Sequence, residues 1–176
     1  IITSAEGDHL QPEVLAGLDH DTRVFAETAA CSKLRRLGFR DVSVLRAGQS
    51  VTLGRDLDLL ALDGYNPILT PHLALLFRDS NGATLLIAHH GLVWSSRTAR
   101  MVSRFLGSAP LDAACLPVEP AHLKVPGLPR AALPYRGTIT PEASEMVPVI
   151  RATRARQVYL THELRERRAG FVVDHF

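Results

Sequence analysis

Residues 1–9 read IITSAEGDH, and the apolar start of this stretch runs directly into a polar loop. The β-branched residues of Ile1–Thr3 are typical of a strand. The loop ends in Asp8 and His9, a carboxylate next to an imidazole. Because side chains at the strand ends of a layered α/β domain can converge on one site, this stretch predicts functional groups at the edge of a sheet.

Two other apolar segments also end in histidine. Residues 85–88 (LLIA) precede His89 and His90, and residues 158–160 (VYL) are followed by Thr161 and then His162. Imidazole and carboxylate are ligands that zinc, iron and manganese accept from proteins. Three strand ends that each deliver a histidine therefore indicate a common metal site. The alternative is that each histidine is an ordinary surface or hydrogen-bonded residue.

The rest of the chain alternates helical and strand patterns. We predict helices over 12–18, 27–37, 95–106 and 141–154. We predict strands over 23–26, 42–45, 51–53, 57–62, 72–77, 83–88, 113–118 and 158–160, the last clear strand. The pair Asn81-Gly82 indicates a hairpin between two of them. This mixture favours one layered α/β domain over residues 1–176, with the proline-rich residues 117–141 as a long loop.

Composition narrows the classes of function. The 176 residues are 46% hydrophobic and 22% charged, as in globular proteins. The net charge of +2 does not indicate a nucleic-acid-binding surface, although several arginines cluster in residues 151–168. No apolar run approaches the roughly 18 residues of a membrane span, and no signal peptide is visible, so a cytoplasmic location is expected. Cys31 and Cys115 lie in apolar stretches and are interpreted as free thiols in preference to a disulfide.

The order of these segments resembles that of metallo-β-lactamase-fold hydrolases. That family carries a strand followed by Thr-His-x-His-x-Asp-His, and here residues 3–9 read TSAEGDH. Asp8 and His9 match the final pair of the motif. Ser4 and Glu6 stand where the family has its first two histidines, which makes this a degenerate form of the motif.

Later segments resemble the same family. LGF at 37–39 and LRAGQSVTLG at 45–54 are similar to its conserved stretches. The next strand usually ends in another metal-binding histidine, but here it runs into DGYN at 63–66. His90 falls where the family places a bridging aspartate, and His162 matches its last histidine ligand.

The resemblance implies a four-layer αββα sandwich that lacks its opening β-strands, which a separate chain or a cleaved segment could supply. It also implies one divalent metal, zinc in the first place with iron or manganese as alternatives, because two histidines of the dinuclear centre are replaced. The implied ligands are Asp8, His9, His90 and His162. Asp8 and Glu6 are the candidate catalytic groups, and the candidate substrate contacts are Tyr135, Arg136 and His72.

The implied function is that of a metal-dependent hydrolase acting on a small-molecule ester, amide, lactone or phosphodiester. A single metal ion would lower the pKa of water from about 15.7 toward about 7 and so activate it. One alternative is a metal-free, catalytically degenerate domain that binds a ligand or a partner chain. A second is iron-dependent oxygen chemistry or nucleic-acid processing on the same fold. The sequence contains no GxGxxG, Walker or GxSxG motif for other enzyme classes.

Overall fold

The computed structural model describes residues 1–5, 10–65, 71–117, 141, 143–161, 166–168 and 171–173. In this part of the chain the helices are α1 (Pro12–Leu15), α2 (Thr28–Arg36), α3 (Ser96–Leu106) and α4 (Ala143–Thr153). The strands are β1 (Val24–Ala26), β2 (Val42–Val44), β3 (Ser50–Leu53), β4 (Leu57–Asp63), β5 (Leu73–Asp79), β6 (Thr84–Ile87), β7 (Ala113–Pro117), β8 (Gln157–Thr161), β9 (Glu166–Arg168) and β10 (Phe171–Val173).

Six of the strands form one mixed sheet in the order β3-β4-β5-β6-β7-β8. Neighbours from β3 to β6 are antiparallel, and β6, β7 and β8 are parallel. The predicted hairpin lies between β5 and β6. Its turn is closed by Asp79, whose Oδ1 accepts hydrogen bonds from the backbone N–H groups of Asn81 and Ala83. Gly82 supplies the left-handed backbone that the turn requires, with φ +87°.

Helices α3 and α4 cover one face of this sheet. As predicted, α3 begins after Ser95, whose side chain accepts a hydrogen bond from Thr98 N at 3.1 Å, and ends at Gly107. The main core lies between these helices and alternate residues of the strands, among them Leu60, Leu76, Leu86 and Leu116. This face is therefore closed to solvent.

The other face of the sheet is covered only in part. Leu45, Leu59, Ala61 and Leu75 are buried there, with Phe25 packed against them. Within the part of the chain that the structure describes, Leu85 and Ile87 on this face of β6 are only half-buried. Helix α2 packs on the small parallel sheet of β1 and β2 through a separate cluster of apolar residues. This layered α/β arrangement agrees with the fold class predicted from the sequence.

The last strand predicted from the sequence is followed by two more. Strands β9 and β10 form an antiparallel pair, so the prediction that 158–160 is the last strand was wrong. Helix α1 is also shorter than predicted. The thiols of Cys31 and Cys115 are both free. No helix within the described residues has the length and apolar character needed to cross a membrane.

Candidate functional site

The predicted histidine segments leave the six-stranded sheet at one edge. Because β6, β7 and β8 are parallel, their carboxyl ends lie on the same side. Ile87 pairs with Cys115 and Cys115 pairs with Tyr159, so the ends of the three strands lie close to one level. His89 and His90 lie in the turn that follows β6, and Thr161, the last residue of β8, directly precedes His162.

The segment that leads into the first polar loop lies at the same edge. Ile2 forms a parallel bridge with Ala26, and the backbone N–H of Leu73 donates to the carbonyl of Thr3 at 3.0 Å. Residue 3 thus lies beside the start of β5. Ser4, at the position of the first family histidine, is fully buried.

The entry to this loop is tied to the helix beside it. Lys33 of α2 donates its Nζ to the carbonyl oxygen of Ala5 at 2.6 Å. The residues predicted to carry chemistry beyond this point, Glu6, Asp8 and His9, lie outside the described residues, as do Tyr135, Arg136 and His162. Their roles stay predictions.

His72 and His90 are brought together by the hairpin of β5 and β6. Their rings are stacked, with centroids 4.3 Å apart and an interplanar angle of 11°. His72 is 4% exposed. The Nε2 atom of His72 and the Nδ1 atom of His90 are both buried. The structure therefore places one predicted metal ligand and one predicted substrate contact face to face.

The stacked histidines line a small pocket of about 20 Å³. The other residues around it come from the first segment, the ends of β4 and β6, and the start of β5: Thr3, Gly64, Leu73, Ile87, His89 and Gly91. This pocket therefore brings together two of the three predicted strand ends, those of residues 1–3 and 85–88, with both histidines that follow β6.

Gly91 lines the pocket at a position where a neighbouring residue leaves no space for a side chain. Gly91 has φ +83°, and a Cβ atom there would overlap the ring of Pro141. Pro141 is buried and is the last residue of the proline-rich segment. The end of that segment consequently lies against the residue after His90, at the border of the pocket.

The described residues hold only part of a ligand set. Among them, no three His, Cys, Asp or Glu side chains form a group that could hold a metal ion. Two imidazoles on one zinc ion place their ligating nitrogens about 3.3 Å apart with diverging rings, since each Zn–N bond is about 2.0–2.1 Å. The parallel rings of His72 and His90 do not have this geometry. One of them can act as a ligand while the other supports it, and the predicted set of three imidazoles and one carboxylate fits a single divalent ion.

Solved structures share the arrangement of helices and strands. CmlA, a diiron β-hydroxylase from Streptomyces venezuelae, matches with a TM-score of 0.67 and 23% identity over 90% of this chain and 34% of its own. The isothiocyanate hydrolase from Delia radicum gut bacteria matches with 0.65 and 15% identity over 89% and 59%. YhfI from Bacillus subtilis, a metallo-β-lactamase-fold protein, matches with 0.59 and 13% identity over 91% and 62%.

The chain has the metallo-β-lactamase fold. This confirms the resemblance and the fold class predicted from the sequence. No family model matches the sequence, and no curated protein matches it. The chain spans about a third to three fifths of the length of the structures named here, and so corresponds to part of that fold.

Sequence reasoning missed the stacking of His72 on His90. The signal was present in the hairpin. A turn at Asn81-Gly82 that pairs Leu75 with Ile87 also places residue 72 opposite residue 90 when the same register is continued by three residues.

Proposed function

We propose that the chain is the larger part of a metal-dependent hydrolase that uses one divalent metal held by Asp8, His9, His90 and His162. The observation that supports it is the common edge of the sheet. His90 follows β6 there, His162 directly follows β8, and Thr3 leads into the loop that carries Asp8 and His9. A hydrolase, the isothiocyanate hydrolase, is also among the structures with this fold.

When bound, such a metal lowers the pKa of water enough for water to act as a nucleophile near neutral pH. Asp8 or Glu6 would orient the attacking water and accept its proton. The reaction adds water across an ester, amide, lactone or phosphodiester bond of a small molecule.

The candidate substrate contacts belong to two segments. Tyr135 and Arg136 belong to the segment whose end, Pro141, lies against Gly91. His72 lines the pocket itself. Cytoplasmic location and the supply of the remaining part of the fold by a separate chain or segment belong to the same proposal.

Iron-dependent oxygen chemistry is the second candidate. The observation that favours it is the match to CmlA, which is a diiron β-hydroxylase. Three imidazoles and a carboxylate are ligands that iron accepts as well as zinc. Zinc remains the first proposal because hydrolysis needs no redox-active metal.

Metal content tests the proposal directly. The purified protein is reconstituted separately with zinc, iron and manganese, desalted, and analysed by mass spectrometry for metals. We expect about one equivalent of one metal, and a loss of most of it in His9→Ala and His162→Ala. His20→Ala serves as the matched control, because His20 packs against Phe39 and not in the pocket.

The result separates the candidates. Less than about 0.2 equivalents of every metal in the unaltered protein would overturn the proposal. One equivalent of zinc with hydrolysis of a panel of esters, lactones and phosphodiesters supports it. Retention of iron alone, without hydrolysis, would favour the second candidate.

A further inference from the structure

We propose that His72 is a positioning residue, whose ring fixes the orientation of the His90 imidazole toward the metal. This assignment rests on the proposed function. It replaces the substrate contact that the sequence predicts for His72 with a supporting role, and it can be tested with or without metal.

The backbone on either side of His72 is held by two neighbouring segments. Its carbonyl oxygen accepts a hydrogen bond from Gly64 N at 3.0 Å, directly after the end of β4. The next residue, Leu73, donates to Thr3 at 3.0 Å. The base of the His72 side chain is thus fixed between the end of one strand and the segment that enters the Asp8 loop.

The backbone of His72 lies close to the residue that follows β4. A Cβ atom at Gly64 would lie 3.0 Å from both the carbonyl carbon and the carbonyl oxygen of His72. This separation is shorter than ordinary van der Waals contact. The glycine after β4 therefore permits an approach that any side chain would prevent.

The ring of His72 stacks on one face of the His90 ring. The centroids are 4.3 Å apart and the planes differ by 11°. Stacking favours one plane for the His90 imidazole, so it restricts the directions in which the ring nitrogens point before a metal arrives. Groups that orient a ligand without binding the metal typically contribute 10–100-fold to metal affinity.

Two substitutions at one position separate the possible roles. His72→Phe keeps a flat ring that can stack on His90 but has no nitrogen for a metal. His72→Ala removes the ring. Zinc affinity is measured for both by competition with a chelator, and circular dichroism checks that each variant is folded.

We expect His72→Phe to bind zinc within about threefold of the unaltered protein and His72→Ala to bind it 10–100-fold more weakly. Equal, large losses in both variants would show that His72 is itself a ligand. Unchanged zinc affinity in both, with a raised KM, would show a substrate contact. Either result overturns the assignment.

A second measurement remains informative if the protein binds no metal and the proposed function fails. The ring protons of His90 are observed by NMR in the metal-free protein. Stacking predicts that the ring current of residue 72 shifts them upfield, and that the shift persists in His72→Phe but is lost in His72→Ala. Identical His90 signals in all three proteins would overturn the positioning role independently of the metal.

Discussion

The two faces of the six-stranded sheet differ although the same strands build both. On the helical face, Leu86 and Leu116 are 1% exposed beneath α3 and α4. On the other face, the neighbouring residues Leu85 and Ile87 are half-buried. Apolar residues on both faces of a strand are typical of a sheet that is covered on both sides. The sequence of β6 therefore suits a more complete sandwich than the described residues form.

The uncovered area adjoins the histidine pocket. An open apolar groove on this face is lined by Leu57, Phe77, Leu85 and Ile87. Ile87 also lines the pocket that contains His72 and His90. The candidate site thus lies at the boundary between the closed core and the open face. Whatever covers the groove in a more complete form of the fold would also border the site.

The largest expected difference is in the stability lost when each of two adjacent leucines on β6 is replaced by alanine. Leu86→Ala would leave a cavity in the closed core and lower the free energy of unfolding by about 2–5 kcal/mol. Leu85→Ala would lower it by about 1 kcal/mol or less, because its side chain is already half exposed to solvent. Urea denaturation followed by circular dichroism measures both. Equal losses would contradict the contrast between the faces, and a larger loss for Leu85→Ala would show that the open face is covered in solution.

A smaller difference is expected between the two cysteines, in the rate at which a thiol reagent modifies each of them. Cys31 lies buried between α2 and the small sheet, and burial raises the pKa of its thiol. Cys115 lies on β7, on the open face, and is half-buried. We expect a thiol reagent at pH 7.5 to modify Cys115 at least about tenfold faster, since the thiolate is the reactive form and Cys31 must also be uncovered.

Mass spectrometry of peptides over time distinguishes the two cysteines. Cys31→Ser and Cys115→Ser serve as matched controls for the assignment of each rate. Slow modification of Cys115, comparable with that of Cys31, would show that another surface protects the open face.

Much of the fold could be predicted because local signals coincide with element ends. Ser95 and Gly107 bound α3, and Asn81-Gly82 marks the hairpin. The pair β9–β10 could not be predicted in the same way. Residues 166–168 read ERR, a charged run that contains no alternation of apolar and polar positions. Its strand character comes from pairing with residues 171–173, which a local pattern does not reveal.

The site could be predicted only at the level of segments. The strand ends that carry His90 and precede His162 do lie at one edge, as their positions after apolar runs indicated. The stacking of His72 on His90 needed the register of a hairpin and two side-chain conformations, and the composition of the segments determines neither. The roles of Asp8 and His9 stay predictions that the metal analysis will test.

The smallest expected effect concerns the opposite end of the parallel strands from the histidines. There, Asp112 joins the starts of β6 and β8. Its carboxylate accepts hydrogen bonds from the backbone N–H and the hydroxyl of Thr84 and pairs with Arg156 at 2.8 Å. These contacts, those of Thr84 first, hold the pKa of Asp112 below its usual range. A carboxyl group with a lowered pKa stabilises the folded state above the pKa it has when unfolded, near 3.9, and this contribution is lost as the pH falls through the folded pKa.

Asp112→Asn removes this titration while keeping the shape of the side chain. We expect the Tm of the unaltered protein to exceed that of the variant at pH 6, and the difference to shrink as the pH falls below about 3.9 toward the lower folded pKa. Calorimetry at half-unit steps of pH measures it, and other carboxylates such as Asp58 cancel because both proteins contain them. A difference that stays constant with pH would mean that the charge of Asp112 does not stabilise the strand starts. Both faces of the sheet share these strand starts. The difference in stability between Leu85→Ala and Leu86→Ala would then depend on side-chain packing alone.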